Sequence, residues 1–147
     1  GWETADGDIV GIHDYTSDPT TLRARFGTRD RLDRLVAEGH PSGQLVDLDC
    51  RPLAGRAAVL SEFGGIALAD DTGGWGYGMA RSPEELLERY RELWSVVHDS
   101  DALAGACWTQ FSDTYQEANG LVRMDRTPKL PVALVAAATK GRPAPTG

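Results

Sequence analysis

The 147-residue chain is 41% hydrophobic and 25% charged, which places it among globular domains with one core of ordinary size. With 15 basic against 22 acidic residues its net charge is -7, and this argues against a nucleic-acid partner, because phosphate binding wants a basic face. No run approaches the roughly 18 apolar residues of a membrane span, and the two cysteines, Cys50 and Cys107, make neither a C-x-x-C pair nor a disulfide framework, so each is expected as a small buried hydrophobe.

The predicted elements alternate along the chain. Asp8–His13, "DIVGIH", is a short β-rich run. "TLRARFGTRDRLDRLVAEGH" then has helical spacing through Leu22, Phe26, Leu32, Leu35 and Val36, stopped by Gly39 and Pro41. Ala57–Glu62, "AAVLSE", reads as the second strand, followed by the glycine-rich loop "FGGIALADDTGGWGYGMAR". "SPEELLERYRELWSVVHDS" is the strongest helix. Ser82 caps it, Pro83 suits its first position, Glu85 completes a capping box, and Leu86, Leu87, Tyr90, Leu93, Trp94 and Val97 form one apolar stripe. Leu103–Phe111, "LAGACWTQF", is the third strand. Thr127 and Pro128 are placed to open a last helix, in which Pro131 is tolerated only within the first turn. The tail "KGRPAPTG" is Pro/Gly-rich, so residues 1–138 are expected as the domain and 139–147 as a tail or linker.

Strands separated by helices favour parallel pairing, so the fold class is α/β. Functional groups of such folds gather at the carboxyl ends of the strands. His13, Asp14 and Tyr15, then Glu62, then Trp108, Thr109 and Gln110 all lie where their strands end. An acid there, followed by Phe-Gly-Gly, suits a rigidly held carboxylate with glycines that let a ligand near the backbone. As a plain structural residue, Glu62 would instead cap the next element or pair with an Arg. Trp108 is either a flat surface under a sugar or a core filler, and Tyr15 either donates to Glu62 or packs with its hydroxyl in water. His13 and Asp14 are adjacent, so in a strand only one of them faces the site. "GGWGYG" is either a mobile sugar-binding lid or a tight surface turn. It lacks the Lys and spacing of a phosphate loop, and no H-E-x-x-H or comparable metal cluster occurs, so neither metal nor cofactor is expected.

Taken together, "GWE", "DIVGIHDY", "VLSEFGGI", "GWGYG" and "GACWTQFSDTYQEANGLVRMDRTPK", in that order, resemble the final third of the catalytic barrel of glycoside hydrolase family 2, which includes β-galactosidases, β-glucuronidases and β-mannosidases. The resemblance runs from Trp2 to about Leu134. It implies that the three strands are the sixth, seventh and eighth of a TIM (β/α)8 barrel, here an incomplete one. It also implies that Glu62 is the nucleophile of a retaining mechanism, with Tyr15 as the tyrosine that contacts it, Trp108 as the platform beneath the sugar, and His13 as a polar substrate contact. Trp75, Gln110, Glu117 and Asn119 are further substrate-binding candidates.

A retaining glycosidase needs a second carboxyl about 5–5.5 Å from the first. The family carries it in an Asn-Glu pair ending the fourth strand, and this chain has no Asn-Glu pair; its one Asn is Asn119. A full barrel takes about 250 residues. The chain is therefore expected to be a C-terminal piece of a larger enzyme, inactive alone, marginal or self-associating when isolated, with the rest of the parent polypeptide and a carbohydrate as its partners. Glucuronidases of the family share an Asn-x-Lys element where this chain has Glu117 and Asn119 without a Lys. The resemblance thus implies a neutral β-hexoside such as a β-galactoside. A carbohydrate-binding module using Trp108, Trp75 and Tyr77, or an interaction domain in which Glu62 is only structural, are the alternatives. Without a leader and with unpaired cysteines, a cytoplasmic location is expected.

Overall fold

A computed structural model describes residues 4–49, 51–69 and 73–141; Trp2, Cys50 and the tail past Gly141 lie outside them. Three parallel strands form the main sheet: β1 (Ile9–Asp14), β2 (Ala57–Gly64) and β5 (Leu103–Thr109), in the order β1-β2-β5. Each connection steps to the next neighbour in the same direction. With crossovers of one hand, this puts every connecting helix on one face of the sheet. Burial agrees: Val10, Ile12, Ala58, Leu60 and Phe63 are buried on the covered face, whereas Ile9 on the other face is exposed. Among the described residues the sheet is open, with helices on one side and a barer side opposite.

The stretch expected as one helical run is two helices, α1 (Pro19–Phe26) and α2 (Arg29–Glu38). Asp18 caps α1 by accepting from the Thr20 and Thr21 N–H groups, and Gly27 ends it with Thr28 as the next N-cap. The apolar spacing nonetheless held, since Leu22, Phe26, Leu32 and Val36 are all fully buried. The glycine-rich loop is also more ordered than its composition suggests. It holds β3 (Ile66–Leu68) and β4 (Gly78–Ala80), paired in parallel.

α3 (Pro83–Asp99) carries the core. The Ser82 hydroxyl accepts from the Glu85 N–H at 3.2 Å, but Glu85 reaches back to the Arg81 N–H rather than to that of Ser82. Its buried stripe is Leu86, Leu87, Tyr90, Leu93, Trp94 and Val96, with Val97 only partly buried. The last helix, α4 (Val132–Thr139), starts later than Thr127: Pro131 is its N-cap, where its missing N–H costs nothing. Cys107 is exposed rather than buried, because it alternates with Trp108 onto the bare side of an edge strand. Among the described residues, no helix is long and apolar enough to cross a membrane.

Candidate active site

Simple alternation along β2 would put Glu62 on the same covered face as Ala58 and Leu60. A β-bulge prevents this. Ile12 pairs with Leu60, but His13 pairs with Glu62, so Ser61 is an extra residue on β2. The other neighbour shows the same slip: three residues from Leu60 to Phe63 span only two on β5, from Ala106 to Trp108. The Ser61 hydroxyl donates to the Ile12 carbonyl at 3.3 Å across the bulge. The face of each later side chain is thereby reversed, so that Phe63 enters the core and Glu62 turns to the bare side.

There the Tyr15 hydroxyl donates to Glu62 Oε2, and His13 Nδ1 lies 3.4 Å from the same oxygen. The Glu62 side chain keeps 41% of its surface exposed. Burial, and then the Glu62 carboxylate it serves, push the Tyr15 phenol far above the usual range, so it stays a donor. Burial lowers the His13 pKa against the opposing pull of Glu62, which leaves the imidazole neutral at neutral pH. The carboxylate is thus held by neutral partners and stays open to solvent. The other strand-end acid, Asp14, points to the covered face, is buried, and pairs with Arg25 at 2.6 Å and with His40 at 3.1 Å.

The glycines after Glu62 are required by packing. A Cβ on Gly64 would come within 2.3 Å of the Trp108 ring, and one on Gly65 within 2.7 Å of Tyr77 and 3.1 Å of Tyr15. Both have positive φ, +84° and +64°. Trp108 itself is only 8% exposed and meets Phe63 and Tyr90 edge-on, with centroids at 5.3 and 4.6 Å. It fills the core beneath Gly64, one of the two places expected for it, and leaves the exposed aromatic surface to other residues.

That exposed aromatic surface is Trp75 and Tyr77, 48% and 51% exposed and edge-to-face at 5.7 Å. Tyr77 also stacks on Tyr15 at 3.6 Å. Their loop is neither a free lid nor an isolated turn. The Tyr77 N–H donates to the Gly65 carbonyl, the Trp75 N–H to that of Gln116, and the Ala118 N–H to that of Trp75. Tyr77 is expected from the sequence only as a platform of a sugar-binding module, because nothing local in "GGWGYG" says it folds back over Tyr15.

Gln110, Glu117 and Asn119 come together beyond β5. The Gln110 N–H donates to the Asn119 carbonyl, and the Asn119 side-chain amide to Glu117. Asn119 Oδ1 and Gln110 Nε2 are buried without a hydrogen-bond partner among the described residues. The loop's lysine, Lys129, is buried and bound to Asp113 at 2.6 Å and the Ala118 carbonyl at 2.7 Å. Among the described residues, no group of three or more His, Cys, Asp or Glu could hold a metal ion.

No protein-family model matches this chain, and no curated protein matches it in sequence. Solved structures do match. An exo-β-agarase is 22% identical over 90% of this chain and 16% of its own, with a TM-score of 0.57. A GH2 β-galacturonidase from Eisenbergiella tayi is 16% identical over 95% of this chain and 25% of its own, with a TM-score of 0.56. A β-glucuronidase from Faecalibacterium prausnitzii is 22% identical over 95% of this chain and 23% of its own, with a TM-score of 0.54. At such identities the likeness is one of fold. This α/β unit has the architecture of a piece of those glycoside hydrolases, and it spans about a sixth to a quarter of their length.

Proposed function

We propose that this chain is the nucleophile-bearing part of a retaining β-glycosidase of the family 2 type, formed by the last three β/α units of a (β/α)8 barrel. One observation carries the reading: a bulge in the central strand takes Glu62 out of the helix-covered face and sets it, half-open, under the Tyr15 hydroxyl. A carboxylate serving only stability would be closed off by cations, as Asp47 is by Arg51 and Arg56.

In the proposed reaction Glu62 attacks the anomeric carbon. The glycosidic C–O bond breaks, and its oxygen takes a proton from a second carboxyl supplied by a strand outside this chain. Water, deprotonated by that same group, then cleaves the glycosyl ester and frees Glu62. Tyr15 holds the Glu62 carboxylate in line. His13, Gln110, Glu117 and Asn119 present hydrogen-bonding groups to sugar hydroxyls, and Trp75, with Tyr77 beside it, offers an apolar wall.

A neutral β-hexoside, such as a β-galactoside, fits best. The galacturonidase and the glucuronidase, both named for acidic sugars, share the fold, but here the loop beyond β5 offers the Glu117 carboxylate while Lys129 is bound to Asp113. The test is a 2-deoxy-2-fluoro-β-glycoside applied to a polypeptide that extends this chain upstream through a strand-end Asn-Glu. A covalent adduct mapped to Glu62 supports the reading, and an adduct on another residue overturns it. This chain alone should not turn over a chromogenic β-glycoside.

The exposure of Trp75 and Tyr77 also favours a second reading, a sugar-binding unit without cleavage. Saturable quenching of Trp fluorescence by a sugar, with no adduct in the extended polypeptide, would select it.

A further inference from the structure

We propose that Asp14 is a positioning residue for this rim: clamped from the helix side, its carboxylate closes the turn that aims the Tyr15 hydroxyl at Glu62. Its functional meaning rests on the reading of Glu62 given above.

Asp14 ends β1, and its two oxygens do different work. Oδ1 accepts from the Thr16 N–H at 2.9 Å, an Asx-type turn that spans Tyr15. Oδ2 accepts from Arg25 Nη1 at 2.6 Å and faces His40 Nε2 at 3.1 Å. On its other side the His40 ring is held by Ser42, whose hydroxyl lies 2.7 Å from Nδ1. Arg25 belongs to the last turn of α1, and His40 follows the C-cap of α2. One carboxylate therefore ties both helices to the Thr16 N–H, across the turn that carries Tyr15.

Packing does not do this job on its own. A cavity of about 380 Å³ lies beside the turn, lined by His13, Tyr15, Thr16, Arg25 and His40 among others. A turn bordered by open space is held by its hydrogen bonds. The Tyr15 ring is then set by its stacking on Tyr77, with Gly65 at the edge of both rings.

The experiment uses this chain with tyrosine labelled at 13Cζ, the Tyr15 resonance being assigned from Tyr15→Phe. In Asp14→Ala the Tyr15 resonance should move to that of the exposed Tyr115 and lose its ring contacts to Tyr77, while the core residue Tyr90 stays put. Asp14→Asn, which keeps an acceptor for Thr16, should fall between the two. A folded Asp14→Ala with Tyr15 unmoved would overturn the proposal. Should Asp14→Ala fail to fold, Arg25→Gln decides: a smaller movement of Tyr15 in the same direction supports the proposal, and none refutes it. No glycoside is involved, so a failed adduct at Glu62 and a failed Asp14 test are separate results. In a catalytically competent longer polypeptide, Asp14→Ala should lower kcat by about tenfold to a hundredfold, the cost of a misplaced group, with KM nearly unchanged.

Discussion

Strand β2 is entered beside one carboxylate and left beside another, and the two could hardly be treated more differently. Asp47, in the loop before the strand, is wholly buried and surrounded by donors: Arg56 Nη1 at 2.5 Å, Arg51, and the N–H groups of Asp49 and Arg51. Burial works against its charge, but the Arg56 and Arg51 bonds win and hold its carboxyl well below the usual range. Glu62, at the far end, has among the described residues one phenol, one neutral imidazole and open solvent. A charge satisfied by cations is an anchor with no capacity left. A charge held by neutral donors keeps its nucleophilicity and can change partners.

The largest effect that would break this contrast is chemical. Glu62→Gln, in a polypeptide competent for turnover, should lower kcat on the order of 10⁴-fold or more, the scale for loss of a covalent nucleophile. Its melting temperature should stay within about 2 °C of the parent, as for an open surface site. Equal damage to stability would make Glu62 an anchor like Asp47. Next comes the support beneath it. Gly64→Ala forces a Cβ into the Trp108 ring at positive φ, and should cost about 3 kcal/mol in urea unfolding.

The two ends of β2 should also separate by pH. The Asp47 pKa is depressed on folding, so its contribution is present above the unfolded value near pH 4 and is lost as pH falls below it. Asp47→Asn should flatten that acid branch. The Tyr15 pKa is raised on folding, so its contribution is complete below the unfolded value near pH 10 and is lost as pH rises above it. Tyr15→Phe should flatten the alkaline branch and leave the acid one alone. The smallest effect belongs to a pair at neither end. Arg29 and Asp33, at 3.1 Å and both well exposed, should contribute about 0.5 kcal/mol or less, measured as the stability change of Arg29→Ala.

The sequence by itself determined the parts that depend on local pattern. The β-rich run at Asp8–His13, the apolar spacing from Leu22 to Val36, the Ser82-Pro83 helix start and the strand into Trp108 are each decided within about twenty residues, and all formed. The break at Gly27, the late start of α4 at Pro131 and the pairing of β3 with β4 were less legible, because each weighs a local preference against packing elsewhere. The site was legible as a set of strand ends, not as a geometry. Period-two reading places Glu62 toward the helices, and only pairing with β1 and β5 together inserts Ser61 and reverses the face. Nothing near Gly73 announces that Tyr77 will lie on Tyr15, and nothing near Trp108 says that Gly64 leaves it a place in the core. A strand's direction and its ends are written in its own residues. Which face an end presents depends on the register of its neighbours, and register exists only once the chain has folded.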